Sequence, residues 1–274
     1  MKSLLAGGML CLFTGPTLFA QNVLPAENVL ESPAPKKVRN HSFYFSWGYN
    51  TESYTRSNIH VSQPELGREY MLQQVVGNDR RAWDEGLFSI PLTIPQYGYR
   101  IGWMFNETKG WGLEINFDHT KYIVKQGQDI RVTGNMGDGR AVDTMIDFRE
   151  KNGFLYYLNN GANFFLLNAV KRFPVWSNKK GSLRLDALGK AGFGPVVPHV
   201  ENTFFGDKNK PHFQVGGWNT GIEADLKLTA FKRIYLEGGI KGDYARYSGL
   251  RIYKGTVKQA FGSFIFNFSL GVQI

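Results

Sequence analysis

The sequence predicts an all-β fold: eight antiparallel strands wound up and down into a transmembrane β-barrel. Three observations predict it. Apolar and polar residues alternate in eight separate segments, most clearly in the terminal stretch FGSFIFNFSLGVQI, residues 261–274. The links between segments are short and long in turn. No stretch after the N-terminus approaches the roughly eighteen uncharged apolar residues of a spanning helix, so any membrane passage is by strands.

In chain order, residues 1–20 read as a signal peptide of the Sec type. Lys2 supplies a positive n-region, Leu4 to Leu18 an apolar stretch, and Phe19-Ala20 before Gln21 the cleavage site. Gly7-Gly8 and Gly15-Pro16 would break a buried helix there. The single cysteine, Cys11, lies inside this segment, so the mature chain has no thiol, disulfide or cysteine metal site. Residues 21–40, with Pro25, Pro33, Pro35, Lys36, Lys37 and Arg39, read as a flexible Pro-rich basic linker. Residues 41–274 form one barrel domain.

The first segment alternates Phe43, Phe45, Trp47 and Tyr49 with Tyr44, Ser46, Gly48 and Asn50. The second sets Pro95, Tyr97, Tyr99, Ile101, Trp103 and Phe105 against Gln96, Gly98, Arg100, Gly102 and Met104. The third sets Trp111, Leu113, Ile115 and Phe117 against Gly112, Glu114, Asn116 and Asp118. The fourth, about 156–170, is blurred by Phe164-Phe165-Leu166-Leu167, with Ala162, Phe164 and Leu166 opposing Gly161 and Asn163. The fifth sets Leu183, Leu185, Ala187 and Ala191 against Arg184, Asp186 and Lys190. In the sixth, Trp218 to Leu228 opposes Asn219, Gly221, Glu223, Asp225 and Lys227. In the seventh, Ile234, Leu236 and Ile240 oppose Tyr235, Glu237, Gly239, Lys241 and Asp243. The eighth carries Phe264, Phe266, Phe268, Leu270, Val272 and Ile274 against Ser263, Asn267, Ser269, Gly271 and Gln273. A two-residue period of this length is a strand signal.

Short links follow the second, fourth and sixth segments, at 106–110, 173–182 and 229–232. Long ones follow the first, third, fifth and seventh, at about 51–94, 123–155, 195–213 and 246–259. An up-and-down barrel gathers each class at its own rim. Outer-membrane barrels have that asymmetry, with short periplasmic turns and long extracellular loops. Volume assigns the faces. An eight-stranded barrel has room only for side chains inside, and the aromatic register would overfill it. The aromatics therefore face lipid. The lumen takes the small residues and a charge network: Arg100, Glu114, Asp118, Arg184, Asp186, Lys190, Glu223, Asp225, Lys227, Glu237, Lys241 and Asp243.

On these residues the chain resembles, over 41–274, the small eight-stranded outer-membrane β-barrels of Gram-negative bacteria, of the OmpA-transmembrane or OmpX type. The resemblance is one of architecture. It implies multi-pass residence in the outer membrane, contact with outer-membrane lipids and lipopolysaccharide, and insertion by the barrel assembly machinery. That machinery reads a terminal phenylalanine in most members; this chain ends Val272-Gln273-Ile274.

Candidate chemistry is sparse. In IHVSQPE, residues 59–65, His60 and Ser62 share a strand face. The pair resembles that of the outer-membrane lipid A deacylases and phospholipase A, where histidine is the general base and serine the nucleophile. Glu65 or Glu69 would orient the base. The asparagine expected nearby is replaced by Gln63-Pro64, and the plain alternative is a solvated strand in the first loop. Asp118 and His119 in FDHTKY point to opposite faces and form no relay. His41, His199 and His212 lack metal-ligand spacing, and GNMGDGR, residues 134–140, reads as a hairpin tip.

No metal and no cofactor is expected. The net charge is +9, or +8 once Lys2 leaves with the signal. For an exported barrel, nucleic acid is not an expected partner. The loop cations Arg56, Arg68, Arg80, Arg81, Arg131, Arg140, Lys208, Lys210, Arg251, Lys254 and Lys258 suit an anionic lipopolysaccharide surface. The expected role is a structural or adhesive surface protein presenting long loops to an unidentified ligand. A lipid-modifying esterase using His60 and Ser62 is the alternative, and a small porin-like pore the second.

Overall fold

Alternating runs of aromatic and β-branched residues become strands because such side chains pack well on a pleated surface. A computed structural model describes residues 40–80 and 96–274, within one compact unit, Arg39–Ile274. The expected signal peptide, the linker apart from Asn40, and the positions Arg81 and Pro95 lie outside the described residues. The strands begin with β1 Ser42–Tyr54, β2 Ser57–Gln63, β3 Arg68–Val75, β4 Gly77–Asn78, β5 Tyr97–Asn106 and β6 Trp111–His119. They continue with β7 Tyr122–Val124, β8 Gln128–Met136, β9 Ala141–Phe148, β10 Leu155–Leu158, β11 Phe164–Ser177 and β12 Leu183–Pro195. Last come β13 His199–Phe204, β14 Asp207–Lys208, β15 His212–Phe213, β16 Gly217–Ala230, β17 Ile234–Ile252 and β18 Gly255–Gln273.

Eight of these, β1, β5, β6, β11, β12, β16, β17 and β18, pair antiparallel in that order, and β18 pairs back onto β1. The hydrogen-bonded path therefore returns on itself. The turns β5–β6, β11–β12 and β16–β17 are tight. In the last, the Arg233 N–H donates to Ala230 O at 3.1 Å, and both central residues, Phe231 and Lys232, have positive φ. The primed hairpin turns need that backbone to match the strand twist.

The strand total exceeds the eight expected. Of the other ten described strands, all but β10 lie mainly in the stretches read as loops, which are folded. β1 leaves β18 after Tyr54↔Ser263. The Thr55 N–H holds Gly262 O at 2.8 Å, and β2 resumes on the same edge at Ile59↔Gln259. β3, β8 and β9 extend this wall. A second sheet, β14-β13-β10-β7-β4 with β15 on β13, lies opposite it. Between them is an apolar core that includes Ile59, Val61, Tyr70, Leu72, Val132, Phe148, Tyr156, Val200, Phe204, Tyr247, Val257 and Phe261. Each such side chain contributes about 1.5–3 kcal/mol through burial. We call this part the head and the eight-stranded part the ring.

The fourth segment needs correction in two respects. Leu155–Leu158 is β10, a strand of the head, and the ring strand begins at Phe164. Its outward residues are Leu167, Ala169 and Phe173, whereas Phe164 and Leu166 point inward and are buried. Phe164 closes the base of the head core, which explains the local swap of register. The same strand runs on to Ser177, so the turn to β12 is 178–182, shorter than the expected 173–182.

Candidate functional site

The ring interior is built from the register opposite the aromatics. On β12 and β16, Lys190 pairs in register with Glu223. The Lys190 ammonium lies 2.7 Å from Glu237, 3.1 Å from Asp225, 3.2 Å from Glu114 and 3.5 Å from Glu223. Arg100 donates to Glu223 at 2.9 Å and approaches Glu114 and Asp118 at 3.9 and 4.0 Å. Lys241 bonds Asp118 and donates to Asn116 at 2.5 Å. Tyr44 and Asn168 donate to Glu114 at 2.8 and 3.0 Å.

Eight of the twelve predicted lumen charges thus meet in one connected cluster. Arg184 and Asp186 form a separate pair at 2.7 Å. Lys227 makes no ion pair among the described residues and lies 3.8 Å from the Tyr235 ring and 4.8 Å from that of Tyr44. Asp243 accepts from Asn219 at 3.2 Å. Glu223, Asp225 and Glu237 bring ligand atoms within 4.8 Å of one another, but the Lys190 ammonium already stands among them. The eight clustered charges are tolerated at this burial because each has an opposite charge beside it.

In the head, His60 and Ser62 lie on the outer face of β2, both partly exposed. His60 Nε2 is 3.3 Å from Glu69 Oε1, and Ser62 faces Glu69 across the β2–β3 register. Glu65 lies instead 3.9 Å from Lys254. No hydrogen bond joins His60 to Ser62 among the described residues. Ser62, Arg68, Glu69, Gly134 and Asn135 line an open hollow of about 680 Å³ beside the β8–β9 hairpin tip. His119 is buried, bonds Asn163 at 2.9 Å and stacks on Tyr97, while Asp118 points into the ring.

Of the head cations, Arg68 holds Asp207 at 2.8 Å, tying β3 to β14 in the second sheet. Arg131 holds Asp143 at 2.6 Å, and hydrogen bonds from Arg131 keep the Asp143 carboxyl below its ordinary range. Burial pushes the Tyr122 phenol up to about 12. Arg56, Lys210, Arg251 and Lys258 are exposed and lack an acidic partner among the described residues. Sequence reasoning missed Tyr44, Asn116, Asn168 and Asn267, which finish the ring cluster. Their signal was available, since each occupies the same inward register as the charges. It also missed Arg172 and Glu107, paired at 2.6 Å at the short-turn end.

No family model matches the chain, and no curated protein matches it. Among solved structures, it is similar to the outer membrane protein OprG from Pseudomonas aeruginosa, with a TM-score of 0.39 and 10% identity, covering 85% of this chain and 95% of that one. It is also similar to Neisserial surface protein A (NspA), with a TM-score of 0.32 and 10% identity, covering 85% and 96%. Neither similarity reaches the level at which a shared fold follows.

Proposed function

We propose that this chain is an integral outer-membrane β-barrel protein, a closed eight-stranded barrel of the OmpA-transmembrane or OmpX architecture. In this reading the short turns face the periplasm, and the head is the surface-exposed part with a structural or adhesive role. One observation carries the reading. Every ring strand shows an outward apolar band, such as Phe264 to Val272 on β18 or Ile234 to Tyr244 on β17, with Phe266 53% and Leu236 42% exposed. Those bands match the nine to eleven or so residues of a tilted transmembrane strand. A water-soluble monomer does not display a contiguous apolar girdle of this extent.

The head supports the surface role. Its long connections form a packed body with an ordered face, and its unpaired cations suit the phosphates of lipopolysaccharide. The protein should fractionate with outer membranes, resist carbonate extraction, and run as a heat-modifiable band in SDS gels. Recovery as a soluble periplasmic monomer would sink the proposal. The buried ion pairs around Lys190 support a closed lumen, in which case planar-bilayer recordings show no steady conductance; a stable open state would favour the pore.

The 3.3 Å contact between His60 and Glu69, with Ser62 on the same face, favours a second reading as a lipid esterase. A working triad also needs the nucleophile in reach of the base and of oxyanion donors. Incubation of the refolded protein with lipid A and with phospholipid, followed by mass spectrometry, tests it. Fatty-acid release lost in Ser62→Ala would establish the esterase.

A further inference from the structure

The short-turn end of the ring holds a hollow unrelated to the head. It measures about 350 Å³ and is lined by Ser177, Gly181, Arg184, Thr229, Lys232 and Gln273. The strand register builds it as one layer: Ser177 faces Arg184, and Arg184 faces Thr229. Two donors in this layer are buried and unsatisfied. Thr229 is 3% exposed and its Oγ1 has no partner. The Arg184 guanidinium spends Nε on Asp186 at 2.7 Å, and its buried second terminal nitrogen, Nη2, has no partner. A buried unpaired donor costs about 1–3 kcal/mol, so such groups ordinarily find an acceptor.

The surrounding charge has one sign. Lys179 and Lys180 lie in the turn beside Gly181, and Lys232 and Arg233 in the turn after β16, all exposed. Lys227 lies one layer deeper, over the Tyr235 ring. Among the described residues, the side-chain carboxylates of this layer are Glu107 and Asp186, each held through one oxygen by an arginine at 2.6 and 2.7 Å, and Glu237 faces Lys227 in the next layer. Cations therefore exceed acids around two vacant donors. A guanidinium nitrogen, a threonine hydroxyl and a serine hydroxyl from three strands, with a lysine ammonium from a turn, suit an oxyanion with several acceptors, of which phosphate is the best match. The volume, roughly ten waters' share, admits a phosphate with a short polyol arm.

We propose that this hollow binds a phosphate group, free or as the headgroup of an anionic phospholipid, through Arg184, Thr229, Lys232 and Ser177. The site stands on the ring alone and does not depend on the role of the head. The test uses the full chain refolded in micelles, titrated calorimetrically with inorganic phosphate and with glycerol 3-phosphate. In parallel, nanodiscs containing phosphatidylglycerol or only phosphatidylcholine are examined by native mass spectrometry for retained lipid. Saturable binding of either phosphate species, or selective retention of phosphatidylglycerol, is expected, and the arm that responds identifies the source. Because Arg184→Gln also strands Asp186, the decisive variants are Lys232→Gln and Thr229→Val, checked for fold by circular dichroism. Each should weaken binding about tenfold, as for loss of one charge-assisted hydrogen bond, while Lys208→Gln in the head changes nothing. Absence of binding in all arms, wild-type affinity in both variants, or an equal loss in Lys208→Gln would overturn the proposal.

Discussion

The ring and the head use the same two-residue alternation with opposite polarity. In the ring the outward register is apolar and the inward one charged. In the head the inward register is apolar and the outward one polar. β18 crosses from one to the other without slipping. Its inward residues run Val257, Phe261 and Ile265 in the head, then Asn267 and Ser269 in the ring. Its outward residues run Lys258, then Phe264 to Val272. Register is thus a property of the strand, and polarity a property of what lies beyond each face. Alternation reports that two faces differ; only volume and partners say which is inside.

The sharpest way to break this contrast is to remove the charge at the centre of the ring. Lys190→Ala leaves Glu114, Glu223, Asp225 and Glu237 facing one another without their shared cation. The expected loss is about 3–5 kcal/mol in urea unfolding of the micelle-bound protein. A near-neutral result would mean that water, and not Lys190, screens those carboxylates, and would open the lumen to the pore reading.

In the head the corresponding cut is apolar. Leu72 is fully buried between the two sheets, and Leu72→Ala should cost about 2–5 kcal/mol. The damage should stay local, with faster hydrogen exchange in β2, β3 and β8 and undiminished SDS resistance of the ring. Loss of both together would show that ring and head unfold as one cooperative unit. Phe266→Arg reverses polarity on the outer face of the ring. With the ring in a bilayer as proposed, a cation near the midplane costs about 2–4 kcal/mol, whereas Lys258→Phe, on the same outward register but before the stripe begins at Phe264, tests whether the head tolerates the converse; little change in its unfolding midpoint is expected.

How much of this was legible in the sequence follows from the same contrast. Most ring strands could be read because their polarity is uniform over 9–14 residues, as in β6 and β16; the alternation misplaces β11 because Phe164 and Leu166 turn inward at its start. The stretch 246–259 has the sequence signature of a loop because the apolar register changes sides between Tyr244 and Ala245, so a period counted from Ile234 fails there. The head was illegible for a different reason. Its strands in the second sheet are short, down to the two residues of β4, β14 and β15, and β4, β7, β10 and β13 pair with partners far away in the chain, which no local pattern records. The lumen charges were visible as a set because they share a register. Their grouping was not: that Lys190 serves four carboxylates while Lys227 lies between tyrosine rings depends on side-chain reach across the barrel. The hollow at Arg184 and Thr229 was equally hidden, because it is made by four strands and two turns.

The smallest expected effect comes from the same kind of ion pair placed in water. Arg131 on β8 and Asp143 on β9 are diagonal neighbours, opposite Met145 and Thr133 in the register, and they pair with a bidentate geometry, at 2.7 and 2.6 Å, yet both are more than half exposed. Solvent and salt screen such a pair, and its contribution is small. The Asp143 carboxyl is held below its ordinary range by hydrogen bonds from Arg131. Whatever stability it adds is therefore present above the ordinary aspartate pKa and is lost as the pH falls through the lowered value. Asp143→Asn should leave the thermal midpoint unchanged at neutral pH in moderate salt, and the double variant with Arg131→Gln should match the sum of the single ones. A coupling as large as that at Lys190 would show that the edge of the head at β9 is shielded from water, as it would be beneath a bound partner or against lipid headgroups.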